Sequence, residues 1–219
     1  MNKNGLLERP ADVGTNSARS FAAAERELSR EFLRCQFHAL TRRHVLDDLI
    51  LLRVLVDNYH HAAIEAKEGR VDSARCEMQA LDSISTSADP EIGAVRRLSA
   101  LPVWALICWK DGHPKEAIEH LSSSLEACRD LSAVFEHDYL TAKRLHLAAN
   151  IARVLASCGE EHRSIELASS LRSVALGDRD AWPYWGRESL QIPLKENELQ
   201  IIEYQLARIV NIAAEFAKR

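Results

Sequence analysis

The chain carries few of the features that announce a sheet, a metal centre or a secreted framework. Its 219 residues include only eight glycines and six prolines. With few runs of Val, Ile or Thr, that leaves little material for a sheet-rich fold. The five cysteines, Cys35, Cys76, Cys108, Cys128 and Cys158, are widely spaced and contain no C-x-x-C pair. Zinc sites bring close ligand pairs, and disulfide frameworks bring an even count in a short secreted chain. The opening stretch, MNKNGLLERPADVGTNSAR, has no apolar segment long enough for a signal peptide. The longest apolar run, residues 49–56, is interrupted by Arg53 and is too short to span a bilayer. Together these absences predict a reduced, cytoplasmic, soluble protein.

Charge excess is missing too. A net charge of −4 gives no basic footprint for nucleic acid or for an anionic membrane. P-loop, G-x-G-x-x-G, G-x-S-x-G and H-E-x-x-H motifs are all absent. Nine histidines raise a metal hypothesis, but His60 and His61 are adjacent and point roughly 100° apart on a helix. Glu116 and His120 are four apart, yet no second pair stands at a convincing spacing. Cys108, between Trp104 and Trp109, reads as core. The expectation is no metal, no cofactor and no enzymatic activity; a helical enzyme without a short motif is the remote alternative.

What is present is helical. Hydrophobic residues make up 47% and charged residues 27% of the chain, a composition with ample material for a core. In VWALICWKDGHPKEAIEHL, residues 103–121, Gly112 suits the left-handed residue past a helix end, and Pro114 suits the first turn of the next helix. Gly69 and Gly159 follow similar patterns, 43 residues before and 47 after. Aligned on these glycines, the same residue types recur. Fourteen before stand Leu55, Leu98 and Leu145; seven before, Ala62, Ala105 and Ala152; five before, Ile64, Ile107 and Val154. Five after come Ala74, Ala117 and Ser164; nine after, Met78, Leu121 and Ala168. Offsets of seven and fourteen fall near one helix face, so a repeating helical hairpin accounts for the columns.

The second copy, through Leu101, Trp104, Ala105, Cys108, Gly112, Ala117 and Leu121, resembles the tetratricopeptide repeat, whose skeleton is W-x₂-L-G-x₂-Y…A-x₃-F. The resemblance covers roughly residues 45–175, with degenerate repeats and a period lengthened by longer helices or linkers. It implies an all-α fold of stacked antiparallel helical hairpins, an α-solenoid, at about 45–85, 91–130 and 134–176. It also implies a concave groove that recognises an extended or acidic segment of a partner protein or peptide. Carried over position by position, the groove residues are Tyr59, His60 and Lys67 from the first copy, Val103, Leu106, Trp109 and Lys110 from the second, and Asn150 and Arg153 from the third. Ala63, Ala66, Pro102, Ala149, Ala156 and Ser157 complete the set. The expected role is an adaptor scaffold, with a ligand- or peptide-sensing regulatory domain as the alternative.

Outside the hairpins, residues 1–16 read as disordered and 17–219 as one helical domain, beginning with a helix from Ser17 to about Arg43 along Phe21, Ala24, Leu28, Phe32 and Cys35. A last helix over 195–218 carries a seam, Leu199, Ile202, Leu206, Ile209, Ala213 and Phe216, at alternating spacings of three and four. It predicts a cap on the end of the stack, with a homodimer contact as the alternative. Trp182, Tyr184 and Trp185 form the densest aromatic cluster. They offer a second partner surface, or a loop that folds back on the third hairpin.

Overall fold

The computed structural model describes residues 30–86, 88–135, 137, 140–184, 186, 190–192 and 194–216. Every α-helix and 3₁₀ turn among them is helical structure of an all-α protein, and no strand occurs among the described residues. Residues 1–16 and the first part of the expected N-terminal helix lie outside them.

The helices are α1, described over 30–40, α2 (Leu46–Lys67), α3 (Val71–Asp82), α4 (Pro90–Lys110), α5 (Pro114–Val134), α6 (Thr141–Ser157), α7 (Glu161–Ala175) and α8 (Glu196–Phe216). A 3₁₀ turn spans Arg179–Ala181. The third pair begins at Thr141, not at 134, because α5 continues as far as Val134.

The three aligned glycines make one turn three times. Gly69, Gly112 and Gly159 have φ of 89°, 81° and 82°, which a side chain would strain. In each case the next N–H donates to the carbonyl four residues before the glycine. These bonds run from Arg70 to Glu65 at 2.9 Å, His113 to Cys108 at 2.8 Å and Glu160 to Leu155 at 3.0 Å. This closure satisfies carbonyls that a helix end leaves open. Gly177 closes α7 in the same way, through Asp178 N–H to Ser173 O at 3.0 Å.

The aligned columns are buried almost without exception. Leu55, Leu98 and Leu145 are fully enclosed, as are Ala62, Ala152, Ala74, Ala117, Ser164 and Met78. Ile64 is the departure, at 39% exposed. Where the other copies place Ala, Ser164 keeps its hydroxyl satisfied by donating to Ala152 O at 2.7 Å.

Helix starts are equally local. Asp89 Oδ1 accepts from the N–H groups of Glu91 at 2.8 Å and Ile92 at 3.1 Å, and Pro90 occupies the first helical position. Pro102 sits in the interior of α4, where it cannot donate to Leu98 O. The buried Ser124 of α5 donates its hydroxyl to that carbonyl at 3.5 Å, so part of the lost bond is replaced from the neighbouring helix.

Packing follows chain order. α3 lies against α2 and α4, α5 against α4 and α6, and α7 against α6 and α8. α2 also meets α4, and α6 meets α8. A small core between α2, α3 and α4 is built on Leu55, Tyr59, Met78, Val103 and Ile107. A larger one extends through α5, α6, α7 and α8. The α4 helix is long and apolar enough to cross a membrane by composition, but half of that stretch is buried inside the protein. Ile202, Leu206, Ile209 and Ala213 of α8 are buried where that helix packs on α6 and α7, so the seam is used within the chain. The side chain of Phe216 lies outside the described residues.

α1 crosses several of these helices. Arg53 of α2 lies over the Phe37 ring at 5.5 Å, and Lys143 of α6 lies over Phe32 at 5.5 Å. Lys195, just ahead of α8, is 3.6 Å from Glu31.

Candidate functional site

The residues expected to line a groove divide into three groups. His60, Lys67 and Lys110 are exposed. Leu106, Trp109, Asn150 and Arg153 are half-buried. Tyr59 and Val103 are core residues, 1% and 6% exposed, and present no open surface. Tyr59 serves a different purpose: its hydroxyl accepts from Arg96 Nε at 3.0 Å, while Arg96 also donates to Leu81 O at 2.9 Å and Ile84 O at 2.8 Å. That brace ties the end of α3 to α4 across α2. Burial pushes the Tyr59 hydroxyl up, against the opposing pull of Arg96.

Trp109 is held by two groups. Its Nε1 donates to Ser157 Oγ at 2.8 Å, and Lys110 Nζ lies 6.0 Å from its ring centroid. Lys67 and Lys110 stand in the last turns of α2 and α4, where a cation is favoured by the helix dipole.

The aromatic cluster after α7 is folded inward. Trp182 is 2% exposed, beneath the Arg144 guanidinium at 5.0 Å and beside Tyr184 at 5.2 Å. Arg144 Nη2 donates to Gly186 O at 2.8 Å, which fixes the loop against α6. Burial pushes the Tyr184 hydroxyl up to about 12. Trp182 is thus part of the interior, not of a second partner surface; Trp185 lies outside the described residues.

Two polar clusters form that the sequence did not point to, although the second includes Asn150 and Arg153. The first surrounds Glu91, which is 2% exposed in the first turn of α4. Arg43 Nη1 donates to its Oε1 at 3.0 Å, His137 Nε2 lies 2.5 Å from the same oxygen, and His44 Nε2 lies 2.7 Å from Oε2. Arg43 also donates to Phe135 O at 2.8 Å. The cluster therefore pins the α1–α2 turn, the start of α4 and the segment after α5 to one carboxylate. Burial acts to raise the Glu91 pKa, but the bonds from His137 and His44 and the charge of Arg43 outweigh it and hold the group below its ordinary value.

The second cluster lies where α6 meets α8. Asn150 Nδ2 is 3.1 Å from His146 Nε2, and Gln205 Nε2 is 2.7 Å from His146 Nδ1. A neutral imidazole has one N–H and one lone pair, so one of these amides must present its oxygen instead. Burial and the charge of Lys143 push His146 down to about 3; the Gln205 bond opposes this, and Arg153 and Lys67 reinforce it. Burial likewise lowers the Lys143 ammonium; Cys128 acts to raise it and Lys67 to lower it further. Asn150 and Arg153, expected in a groove, thus gather around a histidine that sequence reasoning passed over.

Among the described residues no group of three or more His, Cys, Asp and Glu is arranged to hold a metal. The cysteines are free thiols, and burial pushes the Cys128 thiol up to about 12. Comparisons with protein-family models, with curated proteins and with solved structures return no match to this chain.

Proposed function

We propose that this protein is a helical-repeat scaffold of the tetratricopeptide kind, an adaptor that binds an extended, carboxylate-bearing segment of a partner protein. Its site is the surface at the C-terminal ends of α2 and α4, with His60, Lys67 and Lys110 as polar contacts and Leu106 and Trp109 as apolar ones. The observation that carries this reading is the equivalent placement of Lys67 and Lys110. Each stands two residues before a left-handed glycine, exposed, and Lys110 lies beside a half-buried tryptophan. Two cations one repeat apart, one of them beside an aromatic ring, suit a segment that alternates carboxylates with apolar side chains. The threefold glycine turn and the packing of α3, α5 and α7 each between its even-numbered neighbours support the stacked-hairpin part of the reading.

The test is an array of extended peptides that differ in carboxylate number, read by fluorescence anisotropy. Affinity should rise with carboxylate content and fall with salt. Lys67→Glu and Lys110→Glu should each weaken acidic peptides about two- to fivefold, in keeping with exposed ion pairs of up to about 1 kcal/mol. Affinities indifferent to both substitutions would remove this surface as the site.

A further inference from the structure

We propose that the surface covered by α1, to which α2 and α6 each offer a cation, is a docking site for an amphipathic helix of a partner protein, and that α1 is the occupant this helix displaces. The site is separate from the peptide surface at the ends of α2 and α4, and it does not depend on that reading.

The surface is set by the repeat. Sixteen residues before Gly69, Gly112 and Gly159 stand Arg53, Arg96 and Lys143, a basic column in a chain of net negative charge. The middle member is committed to the Tyr59 brace and to the carbonyls of Leu81 and Ile84. The outer two lie over aromatic rings of α1, Arg53 over Phe37 and Lys143 over Phe32, each at 5.5 Å. A ring face attracts a cation, so the two phenylalanines give α1 a register on α2 and α6. Five positions apart on a helix, they point about 140° from one another. They therefore flank a strip made of Leu33, Gln36 and Leu40, and that strip faces the protein.

At the centre of the strip α1 fits poorly. Leu40 is fully buried, and Leu33 packs on the same core. Gln36 is fully buried too, yet neither its Nε2 nor its Oε1 has a hydrogen bond. Burying an amide without a partner opposes docking, and an apolar residue at that position removes the cost. Phe32, Leu33 and Phe37 are only half-buried. A helix with the same two rings and an apolar side chain in place of Gln36 suits this surface better than α1 does. Such a helix is the partner the surface fits.

Displacement leaves the rest of the fold closed. The turn after Leu40 carries Arg43 and His44, and their bonds to Glu91 fasten the chain there. The part of α1 ahead of Leu40 can leave while the α1–α2 turn stays joined to the start of α4.

The test uses the full chain and two fluorescein-labelled peptides of residues 28–41, one native and one carrying Gln36→Leu. Binding is read by anisotropy under reducing conditions. The Gln36→Leu peptide should bind saturably and about fivefold tighter than the native one, since it has no amide to bury. Substitutions in the chain itself should act in opposite directions. Phe32→Ala loosens α1 and should strengthen binding of the peptide about threefold. Gln36→Leu tightens α1, so it should raise thermal stability and weaken the peptide about fivefold. That variant serves alone if Phe32→Ala fails to fold. Lys110→Glu should leave the peptide unaffected; a loss there would place it on the other surface and overturn the proposal. No saturable binding of the Gln36→Leu peptide to the unmodified chain or to Phe32→Ala would also overturn it. So would an affinity that Gln36→Leu in the chain leaves unchanged, because the peptide would then sit elsewhere.

Discussion

The two polar clusters, one buried around Glu91 and one half-buried around His146, are built to opposite effect. Around Glu91, an arginine and two histidines converge on one carboxylate, and both of its oxygens are bonded. Around His146, the ring is neutral, the charges of the described residues that act on it are those of Lys143, Arg153 and Lys67, and Gln205 Oε1 has no hydrogen bond. The first cluster joins three separate stretches of chain and explains itself by the loops it holds. The second joins α6 to α8, which already share an apolar contact through Ile202, Leu206 and Ile209. A buried polar group that completes its own bonds is accounted for by folding, whereas one that leaves bonds open asks for something else to complete them.

If Glu91 is the keystone of the first cluster, removing it should be the most damaging single change. Glu91→Ala takes away the carboxylate that His137, which is fully buried, and His44, which is nearly so, both meet. The expected loss is about 3 kcal/mol, the lower end for breaking a buried pair, since Arg43 is 41% exposed and can turn to water. A shift of the urea midpoint with unchanged slope would measure it. The pH dependence has a definite sign. The folded pKa of Glu91 is depressed, so its contribution is complete above the ordinary carboxylate value of about 4.3 and disappears as the pH falls through the lower folded value. Glu91→Gln should flatten that acid limb, and an unaltered limb would show that the carboxylate is not what holds the loops.

The His146 cluster titrates in a higher window, and this separates the two experimentally. The unfolded histidine takes its proton near 6.5, the folded one only at about 3. Between those values the unfolded state binds a proton that the folded state refuses, so stability is complete above about pH 6.5 and declines as the pH drops. The slope is at most about 1.4 kcal/mol per pH unit, or about 2 kcal/mol between pH 6.5 and 5. His146→Gln should abolish the decline in that interval and leave the Glu91 limb below it. A variant retaining the same slope between pH 6.5 and 5 would mean that another group titrates there.

Legibility in the sequence follows the range of the interactions. The glycine turns were legible because a left-handed residue and its closing bond are local, and the aligned Leu and Ala columns because burial on one face repeats with the helical period. Tyr59 and Val103 were misplaced because position relative to a glycine does not say how far the next helix extends. Arg96, 37 residues on, is what donates to the Tyr59 hydroxyl. The Glu91 cluster and the pairing of Gln205 with His146 were illegible, since those partners come together from separations of 46 and 59 residues. One trace existed: Lys143 and Arg144 stand in the first turn of α6, where the helix dipole disfavours cations, and a partner for that charge should have been sought.

The smallest effect tests whether a single completed bond behaves as the rich Glu91 cluster does, on a reduced scale. Pro102 leaves Leu98 O without its helical donor, and Ser124 Oγ reaches that oxygen from α5 at 3.5 Å. The bond is long, so Ser124→Ala should cost about 1 kcal/mol, the low end for orphaning a buried carbonyl. Pro102→Ala restores the N–H at that position and makes the hydroxyl redundant. In the Pro102→Ala background, Ser124→Ala should therefore cost almost nothing, and the difference between the two costs is the coupling energy of the pair. Equal losses in both backgrounds would assign the effect of Ser124 to packing between α4 and α5. The hydroxyl would then be incidental, and the rule that buried polar groups complete one another would have no support from this position.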